Sequence, residues 1–451
     1  MLLYGWFFLA LMASLWREVW HMRSTLASVS ALLAGIVLLY LGNGALGTLL
    51  GLRLAIDGFP TWIIGAVMSG YFVGIVAGGF HGHRLITGVG HIRAFSVLAT
   101  VMSAATLAHP LLNDPIAWGL LRFVQGYCMA GLAMCTESWL NQRSTNDTRG
   151  RILSLYQIAV YVSQGVGQLL LNLGELSGFT LFVMASILLS LSLVPVAASK
   201  VQAPELPEPR RFGIRQLYAV SPLGMFGCFS SGLILGAFYS LAPLFAQKTG
   251  LSIADTTLFM GVVIIGGLVL QWPIGGLSDR LDRRTVLIGV SLSTVAVCVG
   301  LIMTTGGTLP LLLVLGAVFG GVSFTLYPLS ISHANDHIDP ADLVPASGGL
   351  IIAYGVGATI GPLGASVFIE AQGAPGLFTF IAAMSLGTAL FAVWRMTRRE
   401  AVPIDDQTPF QPVPRTSVVA TEMDPRGELE EEEVVPVERR QKSDDRRTWS
   451  G

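Results

Sequence analysis

Charge is what this chain lacks most. Only 12% of its 451 residues are Asp, Glu, Lys or Arg, against about 25% in a typical soluble domain. Cysteine is scarce as well. Cys128, Cys135, Cys228 and Cys298 each sit inside an apolar run with no close pairing, which suits small packing residues rather than disulfides or metal ligands. There is no G-x-x-x-x-G-K-[ST] loop, so direct drive by a nucleotide is not expected. There is no H-E-x-x-H and no G-x-S-x-G, and nothing supports an enzyme or a bound cofactor. His333 and His337 are spaced i, i+4 around Asp336 but find no third ligand, so no metal site is assigned. No basic, aromatic-studded soluble face suggests nucleic acid. No Lys or Arg precedes the first apolar run, which makes Met1 to Trp16 a poor signal peptide.

Apolar residues fill the space that charge leaves. They make up 52% of the chain, and the mean hydropathy is +0.64. A bilayer core needs about 20 apolar residues per helix, and runs of this length satisfy their own backbone in lipid only as helices. Twelve runs qualify: 26–50, 61–80, 93–111, 115–139, 151–173, 177–198, 219–246, 256–277, 285–304, 309–332, 344–369 and 375–396. The pattern predicts an all-α integral membrane protein with twelve transmembrane helices. The longest internal connection is rich in proline and charge. It divides the chain into an amino-terminal half, 25–198, a cytoplasmic linker, 199–217, and a carboxyl-terminal half, 218–396.

The two ends read differently. Residues 1–24 are apolar but short, with Arg17, Glu18, His21 and Arg23 following. An interfacial helix, a thirteenth span and a mis-assigned start ahead of Met22 all remain open. The tail, 397–451, holds 22 of the 55 charged side chains. With little to bury, it is expected to be a disordered, passive cytoplasmic appendage.

Lys and Arg in the loops set the orientation. Placing the start of the first helix inside gives cytoplasmic loops with Arg84, Arg93, Arg143, Arg149, Arg151, Lys200, Arg210, Arg211, Arg215, Arg280, Arg283 and Arg284. The opposite face holds only Arg53 and Lys248. Both ends of the bundle therefore face the cytoplasm, and a bacterial inner membrane is the expected location.

The densest charge lies in GGLSDRLDRR, Gly275 to Arg284, a hinge between two apolar runs. A worn copy stands 196 residues earlier, where Gly79, His83 and Arg84 match Gly275, Asp279 and Arg280. At the same offset Gly65 matches Gly261 and Gly70 matches Gly266. At an offset of 190, Gly165-Val166-Gly167 matches Gly355-Val356-Gly357. Two halves of like orientation make parallel repeats, with a substrate site between them near the membrane midplane.

These residues resemble the major facilitator superfamily. Gly275, Asp279, Arg280, Arg283 and Arg284 fit its G-x-x-x-D-R-x-G-R-R motif, with Asp282 in place of the usual glycine. The first-half copy departs further, with His83 where aspartate is expected. LRFVQGYCMAG, Leu121 to Gly131, is similar to the family's fourth-helix R-x-x-Q-G motif, which implies a part for Arg122 in proton coupling. The resemblance covers about residues 25–396. Within the family it runs closest to uncharacterised bacterial transporters of the YcaD type, through CTESWL, RGRILSLYQ, QWPIGGLSDR and FTLYPLSISHA. That group implies transport without a settled substrate.

Candidate site residues follow from cost. An arginine at mid-helix is expensive in lipid, about 2.5–3.5 kcal/mol on the insertion scale. Arg122 is therefore expected to face the cavity, as an anchor for a substrate anion or a group that tunes a proton site. Glu137 lies 15 residues on, about 22 Å along the helix, too far to pair with it. It is expected to gate with Arg143, Arg149 and Arg151, or else to carry the proton. Asp279, Arg280, Arg283, Arg284, Gly275 and Arg84 are expected at the gate. Gln157, Tyr161, Gln164 and Gln168 share one helix face, and a polar stripe belongs on the cavity or on a neighbouring helix. Asn43, Gln125, Tyr239, Tyr327 and Tyr354 complete the cavity candidates.

The expectation is a monomeric secondary transporter that moves a small molecule by alternating access, coupled to protons. Efflux of a neutral, weakly acidic or amphipathic compound is favoured. Uptake of a sugar or metabolite, and a non-transporting membrane sensor, are the alternatives.

Overall fold

The computed structural model describes residues 2–415 except 113, 145, 199–212, 305–306, 340–341 and 413. Side chains are described from Val29 onward, apart from 146, 147 and 405. The helices are α1 (Leu2–Ile56), α2 (Thr61–Val89), α3 (His91–Ala108), α4 (Pro115–Arg143), α5 (Asn146–Gly167), α6 (Thr180–Leu191), α7 (Leu193–Ala198), α8 (Ile214–Val220), α9 (Pro222–Lys248), α10 (Ile253–Ser278), α11 (Arg283–Met303), α12 (Leu309–Asn335), α13 (Leu343–Gln372) and α14 (Gly376–Met396). No strand occurs among the described residues.

Among the described residues, ten segments are long and apolar enough to cross a membrane, with α6 and α7 counted as one. The other two of the expected twelve, α4 and α5, are more polar because they carry Arg122, Glu137, Gln157, Tyr161 and Gln164. They pack against α2 and α3, and against α1. Exposed apolar side chains such as Leu120, Val269 and Leu390 form the outer surface that lipid covers. The first span is part of one helix that runs unbroken from Leu2 to Ile56.

Local signals end the helices. Asp114 caps α4 by accepting from the Ala117 N–H at 2.8 Å. Ser252 caps α10 at 3.1 Å, and Asp282 caps α11 through the Arg284 N–H at 3.0 Å. Each satisfies a donor that the first turn leaves open. Gly58 follows α1 with φ 79° and Gly250 follows α9 with φ 80°, a left-handed stop that strains other residues. The two stops occupy equivalent places in the halves.

Packing repeats in the same way. The pairs α1–α5, α2–α4 and α3–α6 correspond to α9–α13, α10–α12 and α11–α14. A Cβ on Gly167 would meet the Leu41 carbonyl, and one on the matching Gly357 would meet the Phe229 carbonyl. The sequence offsets thus mark real contacts, and the architecture is two parallel six-helix repeats.

The halves meet at α2–α13 and α5–α10. Gly65 lies where a Cβ would be 2.8 Å from the Pro362 carbonyl, and its repeat mate Gly261 faces the Gly165 carbonyl at 3.3 Å. Ser69 Oγ donates to the Thr359 carbonyl at 2.8 Å, and Asn172 Nδ2 donates to Thr257 Oγ1 at 3.0 Å. All these contacts lie at the end of the bundle away from the Gly275–Arg284 hinge. Gly65→Leu is expected to wedge this seam open at about 1–3 kcal/mol, cutting solute flux about tenfold with insertion unchanged. Gly79→Leu, where a Cβ meets nothing within 4 Å, serves as the control. Equal flux in the two variants contradicts the seam.

The tail corrects the expectation of disorder between Thr397 and Arg415. This stretch turns through a short 3-10 segment, Ile404–Asp406, and lies along the hinge face of the bundle. The hinge supplies what the tail's own composition does not, namely charged partners for its backbone, the buried Arg283 and the more exposed Asp279. Arg283 Nη2 donates to the Thr408 carbonyl at 2.6 Å, and the Phe410 N–H donates to Asp279 Oδ1 at 2.7 Å. Residues 199–212 of the expected linker, and the tail beyond Arg415, lie outside the described residues.

Candidate functional site

A cavity lies between the halves and is bordered by α1, α2, α4, α5, α9, α10 and α13. Asn43, Arg122, Gln157, Tyr161, Gln164, Tyr239 and Tyr354 all line it, as does Gln168. The spacing of four, three and four on α5 did place one polar face on the cavity. Gln168, the first residue of the 3-10 turn that follows α5, holds this end of the helix to α1, donating to the Gly44 carbonyl at 2.7 Å and accepting from Thr48 Oγ1 at 2.7 Å.

Arg122 is 4% exposed. Its guanidinium lies 4.2 Å over the Tyr71 ring, and Nη1 donates to Gln125 Oε1 at 3.1 Å. Gln125 Nε2 in turn donates to Thr106 Oγ1 at 3.1 Å. Arg122 Nε is buried with no hydrogen-bond partner. Asn43 Nδ2 donates to the Tyr71 hydroxyl at 3.3 Å, which steadies the ring beneath the arginine. The arrangement presents one positively charged fork to the cavity, stacked on a π face.

Two cavity candidates are displaced. Gln125 is fully buried behind Arg122 and does not line the cavity; it positions the guanidinium instead. Tyr327 is likewise fully buried behind Tyr354, with ring centroids 5.0 Å apart. Helical period gives a residue's face but not its depth. Tyr40 and Tyr71 line the cavity although neither stood out among the polar residues of its run. Arg415 also enters it, from the tail.

The hinge separates into buried and exposed charges. Arg283 is 1% exposed and sits on Asp336, with contacts of 2.8 and 2.7 Å to the two carboxylate oxygens and 2.9 Å to the Ser332 carbonyl. Asp279 is the more distant partner, at 3.4 Å. Asp336 also accepts from the Thr408 N–H and hydroxyl. Sequence reasoning missed Asp336 because it looked only like a spacer between two histidines. Arg284 pairs with Asp282 at 2.9 Å. Burial pushes the Asp282 carboxyl up, but hydrogen bonds from Arg284 and its charge outweigh this and hold the group below the usual carboxylate range. Gly275 is buried against the ring of Phe410. Arg280, Arg84 and Arg151 are exposed, away from this buried network.

Glu137 is fully buried near the hinge end of α4 and accepts from the Tyr156 hydroxyl at 2.7 Å. Arg149 is buried nearby in sequence at 8% exposure, whereas Arg143 is exposed.

Comparison with known proteins agrees with this architecture. The family model for the Major Facilitator Superfamily matches residues 32–338 and 225–422. A protein of Escherichia fergusonii described as the uncharacterised MFS-type transporter YcaD is 30% identical over 378 residues, covering 83% of this chain and 97% of the relative. The protein of that name from Salmonella enteritidis PT4 is 30% identical over 363 residues, covering 79% and 93%. Among solved structures, the nucleoside transporter NupG superposes with a TM-score of 0.68 at 14% identity, covering 83% of this chain and all of that one. A D-xylose-proton symporter gives 0.61 at 15% identity, covering 85% and 99%. At such identities the structures speak for the fold alone, and the YcaD relatives together with the family model establish the kinship. This chain is a multi-pass membrane protein that belongs to the Major Facilitator Superfamily of transporters.

Proposed function

We propose that the protein is a proton-driven secondary transporter that moves a small organic molecule by alternating access around the central cavity. The observation that carries this reading is Arg122, a buried guanidinium with an unpartnered Nε, set among polar and apolar side chains in a cavity between two repeats. Such a group waits for an anionic or hydrogen-bonding part of a solute. The closed seam at Gly65 and Gly261, opposite the hinge face, corresponds to a conformation in which solute reaches the cavity from the hinge side.

The excess of Lys and Arg supports a cytoplasmic hinge face, in a bacterial inner membrane. On that assignment the cavity faces inward behind the tail, which suits capture of an internal compound and export once the tail is displaced. Uptake of a sugar or nucleoside-like metabolite is the second reading, and the folds of the nucleoside transporter and the xylose-proton symporter are compatible with it. Arg283 with Asp336 and Asp279 forms the carboxyl-half gate. Glu137 with Tyr156, on the arginine-bearing end of α4, forms the amino-half counterpart. The protein works as a monomer.

Proteoliposomes loaded with a panel of metabolites and amphipathic compounds test the reading. An imposed pH gradient is expected to accelerate movement of at least one compound. Flux of that compound unchanged by the gradient contradicts proton drive. No flux above empty liposomes across the panel favours a non-transporting sensor.

A further inference from the structure

Arg415 reaches the cavity from a tail that sequence alone marks as unstructured. Its Nη2 donates to the Tyr161 hydroxyl at 2.7 Å and to the Phe324 carbonyl at 3.4 Å. Its guanidinium carbon lies 5.2 Å from the Phe324 ring centre and 6.0 Å from those of Tyr327 and Tyr354. Tyr239 closes the group, 5.6 Å from Phe324. Tyr161 belongs to the amino half and the other four rings to the carboxyl half. No Asp or Glu is among the described residues that line the cavity. A cation is therefore held here by π faces, a phenol oxygen and a carbonyl, without a counter-charge. That chemistry selects large, weakly hydrated cations over compact, strongly hydrated ones.

The tail is anchored well enough to make Arg415 a ligand rather than a passing contact. Gln157 Nε2 donates to the Pro412 carbonyl at 3.1 Å, while Arg283, Asp336 and Asp279 hold Thr408 and Phe410. With Arg415 seated, the cavity left is about 170 Å³, below the roughly 300–1,000 Å³ of ordinary ligand sites. A solute of ordinary size needs the tail to leave.

We propose that this aromatic cage is the cation subsite of the transported compound and that Arg415 fills it in cis. The compound then carries a guanidinium or quaternary-ammonium head, and the tail competes with it. This rests on the central cavity being the substrate site. Repulsion from Arg122, which borders the same cavity, is one the site already accommodates with Arg415 in place.

Equilibrium dialysis against protein in lipid nanodiscs tests it with two probes of similar shape, cationic butylguanidinium and neutral butylurea. Three forms are compared: the full chain, a chain ended after Arg399, and the full chain with Arg415→Ala. The last keeps the rest of the tail and guards against misfolding of the truncation. Removing Arg415 by either route is expected to tighten butylguanidinium binding by about tenfold or more, because the tethered competitor acts at millimolar effective concentration. The Arg415→Ala chain is expected to prefer butylguanidinium to butylurea, and adding Tyr354→Leu to reduce that preference. Equal binding of the two probes in the Arg415→Ala chain, or no gain when Arg415 is removed, overturns the proposal. Butylguanidinium bound selectively with no flux of any compound overturns the transport reading instead and leaves the cage standing. Flux of other compounds without cation preference overturns the cage alone.

Discussion

Arg122→Ala is expected to reduce solute flux by about ten- to a hundredfold while membrane insertion is retained. The size follows from the loss of one charged hydrogen-bonding group in the cavity, worth about 1.5–3 kcal/mol. Insertion survives because an arginine at mid-helix opposes it by about 2.5–3.5 kcal/mol, and alanine removes that cost. Arg122→Lys keeps the charge but loses the fork and much of the stacking on Tyr71, so it is expected to fall between the two. Gln125→Leu leaves the charge but frees the guanidinium that Gln125 Oε1 holds. A weaker KM with a smaller change in kcat is expected there. The readout is initial-rate flux in proteoliposomes at matched protein content. Wild-type flux from Arg122→Ala rejects the anchor.

The second large effect is on stability. Arg283→Ala leaves Asp336, 2% exposed, without its principal partner. Breaking a buried ion pair from one side costs about 3–5 kcal/mol. Asp336→Ala is expected to cost a similar amount, for the same reason in reverse. Replacing both by leucine removes the uncompensated charge and is expected to recover most of the loss. Arg280→Ala, on an exposed side chain, is expected to stay within about 0.5 kcal/mol of the parent. Thermal unfolding in one detergent ranks the four variants. Equal midpoints for Arg283→Ala and Arg280→Ala contradict the buried pair.

These two sites show what the sequence made legible. Long apolar runs announced the helices, because lipid leaves the backbone no other partner. Paired glycine offsets marked the repeat, but not that Gly65 and Gly261 hold matching positions against the other half's backbone. The stripe on α5 was readable from its period, and Arg122 from its cost. Depth was not readable: Gln125 and Tyr327 share the right helix faces but sit one layer behind the cavity wall. The partner of Arg283 was not readable either, because Asp336 joins it across 53 residues of chain. Least legible was Arg415, whose contact with Tyr161 spans 254 residues. The tail's composition describes what it can bury alone, and here the surface it buries against belongs to the transporter core.

The central claim is that the two repeats alternate about the cavity, sealing one face as the other opens. Double electron–electron resonance on the chain ended after Arg399 tests it most directly. One spin-label pair sits on the hinge face at Arg84 and Arg280, and a second pair on the opposite face at Leu111 and Ser252, all four exposed. Lowering the pH is expected to shift populations reciprocally, with shorter distances on one face accompanied by longer distances on the other. Two single distributions that stay fixed across the pH range contradict alternating access.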